Sequence, residues 1–530
     1  MSRTSIGAIA LSIIASVACA PGQAASSDAD QPAAFAVAKG PPLVVLVVVD
    51  QLRADLLQRY AELFTGGFKR LNNDGRSYLN ASHAHASTET ATGHASLATG
   101  VHPNRHGIIA NSWYERSRDS WVLVPNVADP TVKIVGHSGP GVSPTRLKVS
   151  GFAEWLVASD RNSIVASASG KDRGAVHTAA HVKGAYVYWF DPGAGRFVTS
   201  TYYRRADPSW ITQFNSTTIE AHRADTVWDL LVPPAALARA TRDTSATAYD
   251  RKPTSFPHRF SKGRPESFWP WWLGTPYQDV ATLELAQTMV TSLAMGRDAS
   301  PDFLSVSLSA TDLIGHGYGP LSLEQMDNLL RLDRKLGEFL AFLDRSVGKG
   351  KWALMLTADH GVLDTPEDLV ARGEYGHRLT RAELERMEAL VRAAAGNSDP
   401  ISAARRLAAD LEKLEFVSEA YTHEELRRGQ PRDSMELLER RSVFPGRFGS
   451  SFARAGVEVR LKPGVLTSSR ASSHGTAWWY DRHVPMIFIG PGITPGRDTS
   501  RAETVDFAPT FATLLGLTFP RGLDGKVLIR

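Results

Sequence analysis

The sequence predicts an α/β protein built on a doubly wound, largely parallel central sheet, and three observations carry that prediction. Apolar runs recur that suit strands buried on both faces, most of them end on a polar residue, and stretches with helical spacing separate them. The first run, "PPLVVLVVVD", is nearly unbroken from Leu43 to Val49 and stops at Asp50. "RADLLQRYAELF" follows, with Leu56, Leu57, Tyr60, Leu63 and Phe64 at helical spacing. The pattern returns in "SIVASASGK", a strand ending near Lys171, and in "DFLSVSLSATD", one ending near Asp312. Ser322 and Gln325 form a capping box that opens a long amphipathic helix reaching about Val347. "WALMLTADHG" is a strand ending near Asp359, and "VPMIFIGPG" is a late strand before a closing helix around "VDFAPTFATLLG".

Two regions interrupt the alternation. "AYVYWFDPGAGRFVTSTYY" reads as a hairpin, followed by loops and the Trp-rich "FWPWWLG", whose Trp269, Trp271 and Trp272 are expected to pack an insertion. Residues from about 365 to 465 are charged and partly helical, with a second capping box at Thr380 and Glu383. These inserted hairpin and helical cap regions, at about 183–275 and 365–465, are expected to lie over the edge or rim of the sheet in one catalytic unit spanning about 40–530.

Among 530 residues, 43% are apolar, 9% aromatic and 22% charged, the make-up of a globular protein with a substantial core. A net charge of +4, without a basic run or an aromatic RNA-binding motif, argues against nucleic acid and is compatible with small anionic substrates. Met1 and Arg3 precede an apolar run from Ile6 to Ala20 that is too short to span a bilayer, then small residues suited to cleavage near Ala24 or Ala25. The expectation is a signal peptide over about 1–25 and an exported chain, periplasmic in the first instance. The single cysteine, Cys19, falls inside that segment, so the mature chain has no thiol to form a disulfide. "SVAC" offers a lipid anchor as the alternative, against which Ser16 stands where a large aliphatic residue is usual. No later stretch is long and apolar enough for a membrane-spanning helix.

Asp50, Lys171, Asp312 and Asp359 are far apart in the chain, yet each falls at the carboxyl end of a predicted strand, the rim where open α/β sheets bind ligands. Buried carboxylates there require a cation or hydrogen-bond donors. In "TDLIGHG", Asp312 and His316 stand four apart, so one helical turn aims both at the same point. Asp359 and His360 are adjacent in "TADHG", and His474 sits on a Gly-flanked loop before a strand. Three carboxylates and three imidazoles suit two divalent transition metals, zinc before manganese or iron. Thr90 precedes the small-residue run "ATGHASLATG", which places its hydroxyl at a helix N-terminus, where amides favour an anion such as phosphate. The competing reading makes Thr90 a helix cap and nothing more.

Taken together, "VVVDQLRADLL", "TATGHASLATGVHPNRHGIIANSWY", "KDRGA", "DLIGHGYGP", "TADHG", "HGTAWWYDRHVPMIFIGPGI" and "VDFAPTFATLLG" resemble the alkaline phosphatase superfamily. The resemblance is to the type I phosphodiesterase/nucleotide pyrophosphatase branch that includes the phosphate-irrepressible, Thr-nucleophile alkaline phosphatases. It implies two Zn2+ ions: Asp50, Thr90, Asp359 and His360 look like the ligands of one, and Asp312, His316 and His474 like those of the other. It makes Thr90 the nucleophile of a T-x-x-G-H motif, with His94 structural and His83 and His85 outside the ligand set. Asn111, Lys171 and Arg173 look like the set with which monoesterase members hold phosphate oxygens, whereas diesterase relatives typically lack the basic pair. The expected activity is hydrolysis of phosphate monoesters through a phosphothreonine. The alternative is a phosphodiesterase or nucleotide pyrophosphatase using the same two-zinc site. A sulfatase is disfavoured because neither Cys19 nor any serine lies in a C/S-x-P-x-R motif.

Overall fold

A computed structural model describes residues 40–529 apart from 119, 241–255, 262–264 and 395–398. The predicted signal segment, with Cys19 and the cleavage region, lies outside the described residues, as does part of the 183–275 region.

Leu43–Val49 forms a strand in which every residue is fully buried. Leu43, Val45, Val47 and Val49 join the apolar layer on one face of the sheet, and Val44, Leu46 and Val48 the layer on the other. Burial on both faces is what an unbroken β-branched run requires, because alternate side chains point in opposite directions. This strand is the centre of a nine-stranded sheet. From edge to edge the order is Gly496–Glu503, Arg76–Ser82, Met486–Ile489, Trp352–Thr357, Leu43–Val49, Asp302–Leu308, Val165–Ser169, Tyr186–Asp191 and Arg196–Val198. Five of its eight neighbouring pairs are parallel. The other three are antiparallel: Met486–Ile489 runs against both of its neighbours, and Tyr186–Asp191 runs against Arg196–Val198.

The predicted hairpin therefore does not lie over the sheet. Tyr186–Asp191 pairs in parallel with Val165–Ser169, and Arg196–Val198 closes that edge. Trp269 and Trp272 are buried against Phe190 on this outer part, with ring centroids 5.2 and 5.1 Å from it. They bury a face of the central sheet, which explains how a strand so far from the middle keeps apolar neighbours.

Ser322 caps the Leu323–Leu343 helix, its hydroxyl accepting from the Gln325 amide. The box is not closed, because the Gln325 side chain donates instead to the Thr311 carbonyl at 2.8 Å, on the helix Ala310–Tyr318. The Thr380/Glu383 box is closed in both directions and opens the helix Arg381–Ala394. That helix packs with Pro400–Leu411 and the two-stranded ribbon Val417–Thr422/Val457–Leu461 around an apolar cluster of its own, including Met387, Leu407, Leu411 and Val457. This small cap sits beside the rim that carries the polar residues.

Candidate active site

Four neighbouring parallel strands deliver the polar residues to one rim. Asp50 directly follows Leu43–Val49, Asp359 lies two residues beyond Trp352–Thr357, and Lys171 two residues beyond Val165–Ser169. Asp312 departs from the strand-end expectation: after Asp302–Leu308 the chain turns at once into the helix Ala310–Tyr318, and Asp312 lies in its first turn. One helical turn then brings His316 Nε2 to 3.2 Å from Asp312 Oδ1. The Asp279 carboxylate accepts from the Ala310 amide at 2.9 Å and so anchors the start of this helix.

Two trios result, Asp312/His316/His474 and Asp50/Asp359/His360, each with ligand atoms within 4.8 Å of one another. The His360 and His474 rings stack across them, with centroids 3.6 Å apart and planes at 18°. Each histidine is oriented through Nδ1, which donates to a backbone carbonyl: His316 to Ser472 at 2.8 Å, His474 to Thr88 at 2.7 Å and His360 to Gly361 at 2.9 Å. With Nδ1 engaged, Nε2 presents its lone pair to the site, as a metal-binding imidazole requires. His474 and His316 point these nitrogens at each other across 3.2 Å. In the other trio, Asp50 Oδ1, Asp359 Oδ2 and His360 Nε2 are buried without a hydrogen-bond partner. Orphaned acceptors of this kind are costly unless a cation meets them. Both trios thus have the donor set of a divalent-cation site.

The charges agree. Asp50, Asp312 and Asp359 are all buried. Burial and then repulsion from Asp359 push the Asp50 carboxyl well above its ordinary value, with Lys171 pulling the other way. Burial also opposes ionisation of Asp312, yet Lys171 and His316 hold it well below the usual range. Burial lowers His360 to about 3, so its Nε2 is unprotonated at neutral pH. The Lys171 ammonium lies 2.6 Å from both Asp50 and Asp312 and ties the trios together. Sequence reasoning placed Lys171 on a phosphate oxygen; here it pairs with carboxylates, because carboxylates of both trios converge within its reach. Arg173, in the first turn of Asp172–Ala179, keeps a buried Nε–H without a hydrogen-bond partner.

Thr90 is the first residue of the helix Thr90–Thr99, and Glu89 occupies the cap position, so the reading of Thr90 as a mere cap fails. Gly93 allows this helix to touch the metal-competent trio: a Cβ there would lie 2.1 Å from the Asp359 carbonyl oxygen. His94 bridges the same contact, with Nδ1 2.8 Å from the Thr90 carbonyl and 3.3 Å from Asp359 Oδ2, and Nε2 2.9 Å from Ser307 Oγ. Asn111 joins through its Oδ1, which accepts from the Ala91 amide at 3.0 Å. Its own amide donates to Glu89 at 2.6 Å. His83 uses both ring nitrogens, on the Ala358 carbonyl and the Thr504 hydroxyl, and His85 is buried against it; neither belongs to a trio.

Sequence reasoning missed Gln51. Its backbone has φ 68°, in the left-handed region, its amide donates to Asp359 Oδ1 at 3.2 Å, and its Nε2 donates to Asp312 Oδ1 at 2.8 Å. It thus holds one carboxylate from each trio. A polar residue after a strand carries no such signal; only its adjacency to Asp50 marked it.

A model of the type I phosphodiesterase/nucleotide pyrophosphatase family matches residues 44–483. The chain is 33% identical over 515 residues to alkaline phosphatase PafA of Elizabethkingia meningoseptica, covering 92% of this chain and 93% of PafA. It is 32% identical over 520 residues to alkaline phosphatase PhoV of Synechococcus elongatus, covering 92% of each. The crystal structure of wild type PafA superposes with a TM-score of 0.83 at 29% identity, over 92% of this chain and 98% of that one. Murine ectonucleotide pyrophosphatase/phosphodiesterase 5 shares the fold, with a TM-score of 0.52 at 13% identity over 91% and 97% of the two chains. The chain belongs to the type I phosphodiesterase/nucleotide pyrophosphatase family of the alkaline phosphatase superfamily, within its Thr-nucleophile, phosphate-irrepressible alkaline phosphatase branch.

Proposed function

We propose that this enzyme hydrolyses phosphate monoesters through a phosphothreonine at Thr90, releasing inorganic phosphate and an alcohol. The observation that carries the reading is the meeting, at one sheet rim, of the Thr90 helix terminus with two carboxylate–imidazole trios and the Lys171–Arg173 segment. Kinship with alkaline phosphatases PafA and PhoV supports it.

Asp50, Asp359 and His360, together with the Thr90 hydroxyl, would hold one Zn2+, and Asp312, His316 and His474 a second. Bound there, the ions stabilise negative charge on the attacking and departing oxygens and lower the pKa of the Thr90 hydroxyl. The Thr90 hydroxyl gives its proton to water and its oxygen attacks phosphorus: the Oγ–P bond forms as the bond to the alcohol oxygen breaks, and that oxygen takes a proton from water. Water then attacks the phosphothreonine, the P–Oγ bond breaks, and phosphate leaves as Thr90 regains its proton. Two in-line displacements retain configuration at phosphorus. Throughout, the helix N-terminus beneath Thr90 favours the anion, and the NH2 of Asn111 and the free Nε–H of Arg173 are donors for phosphate oxygens. Lys171 adds positive charge at the centre. A monoester carries one more negative charge than a diester, so these cations favour it.

The test compares p-nitrophenyl phosphate with its bis ester on enzyme whose metal content has been measured. The monoester is the expected preference, and chelation removes activity that Zn2+ restores. Thr90→Ala abolishes turnover with the fold retained. Lys171→Ala and Arg173→Ala depress monoester hydrolysis more than diester hydrolysis. A strong preference for the bis ester, or equal losses on both substrates, contradicts the reading.

A further inference from the structure

Between the cap and the sheet rim lies a cavity of about 450 Å³, a volume typical of small-molecule sites. Its inner wall belongs to the reaction centre: Glu89 immediately precedes Thr90, Ala110 immediately precedes Asn111, and His474 is a member of a trio. The cavity therefore borders the reaction centre at His474. Its outer wall comes from the cap and mixes apolar with acidic groups: Leu384, Phe452 and Val459 lie half-buried along it beside Glu388, Glu439 and Glu458. Among the described lining residues the only Lys or Arg is Arg460. That guanidinium is ion-paired, 2.6 Å from Glu419 and 3.8 Å from Glu439, although its buried Nε and Nη1 have no hydrogen-bond partner. Burial pushes Glu439 up to about 8, so on the alkaline side it adds a negative charge to the wall.

We infer that this cavity is the alcohol-side subsite and takes the leaving group of the monoester, admitting an uncharged apolar body such as an aryl alcohol. The inference rests on the proposed monoesterase reading for the chemistry at Thr90, but the cavity's selectivity is measurable without turnover. An alcohol bearing a second anionic group finds no unpaired cation in this wall and meets Glu439 instead, so it is disfavoured. An apolar ring gains by leaving water against Leu384, Phe452 and Val459.

Calorimetry on the zinc-loaded enzyme at pH 9 tests this, with 2-naphthylmethylphosphonate and methylphosphonate as non-hydrolysable probes. The naphthyl compound is expected to bind about tenfold or more tightly than the methyl one, a difference within reach of one buried ring. Leu384→Gln and Val459→Thr, both close in size to the native residues and only half-buried, are each expected to shrink that ratio about threefold. A naphthyl probe carrying a carboxymethyl group is expected to lose most of the advantage. Equal affinities for the two probes in the wild type, or a ratio that neither variant moves, overturn the subsite. Turnover assays answer separately: a preserved affinity ratio without monoester hydrolysis would refute the proposed activity and leave the subsite standing.

Discussion

Replacing Gly93 with alanine asks whether the helix that Thr90 opens must touch the Asp359 loop. A Cβ at residue 93 would lie 2.1 Å from the Asp359 carbonyl oxygen, 2.7 Å from its carbonyl carbon and 2.8 Å from its Cα, where ordinary contact begins at 3.4 Å. All three neighbours are main-chain atoms, so no side chain can swing aside. Either the helix carrying Thr90 or the loop carrying Asp359 must retreat by about 1.3 Å, the shortfall between 2.1 and 3.4 Å. Overpacking of this kind costs about 1–3 kcal/mol of stability. A misplacement of about 1 Å in a reacting geometry costs about a hundredfold in rate. The expected outcome for Gly93→Ala is a kcat/KM on p-nitrophenyl phosphate reduced about a hundredfold, in protein that still folds. Zinc content, measured alongside, separates displacement of Thr90 from loss of the ion proposed for the Asp359 trio. Activity within threefold of wild type at full zinc content would show that the contact does not set the geometry.

Asn111→Asp keeps an oxygen for the Ala91 amide but replaces the NH2 group with a second, negative oxygen. Monoester hydrolysis should fall about a hundredfold, the order seen when one oxyanion donor is removed, and an unchanged kcat/KM would remove Asn111 from the site. Asp302 tests stability at the opposite end of the central strands. Burial pushes its carboxyl up to about 6, although it accepts from the Ile164 and Gly296 amides. A raised folded-state pKa means that the native state binds the proton more tightly than the unfolded one. Its contribution to stability therefore declines as pH rises from about 4 to about 6. Urea midpoints between pH 4 and pH 7 should show a shallower decline attributable to this site in Asp302→Asn, and an identical pH profile in both proteins would refute the assignment.

The all-buried Leu43–Val49 strand and its place in a largely parallel sheet were legible in the sequence, because a β-branched run without polar alternation has only one environment that satisfies both faces. The helix start at Thr90 was legible for a local reason too, because the small residues after it permit a helix there; the T-x-x-G-H role came from the family resemblance, and the close approach at Gly93 from the folded chain. Hydrophobic periodicity, however, reports burial and not partners. It could not say that Met486–Ile489 runs antiparallel, or that the 186–198 hairpin completes the sheet instead of covering it, since strand direction and order depend on contacts distant in sequence.

What the sequence determined by itself is the supply of groups: three carboxylates, three imidazoles and a hydroxyl, mostly where strands end. Their protonation and pairing come from the assembled fold. The lone pairs of His316, His360 and His474 face inward because backbone carbonyls of Ser472, Gly361 and Thr88 take the other nitrogen, and a carbonyl is present whatever the residue. Gln51 reaches both trios only because its left-handed backbone turns it there, and Lys171 meets carboxylates because two strands bring Asp50 and the turn before Asp312 side by side. Proton positions and ion pairing depend on distances of a few ångströms between residues hundreds of positions apart, and those distances exist only once the sheet has assembled.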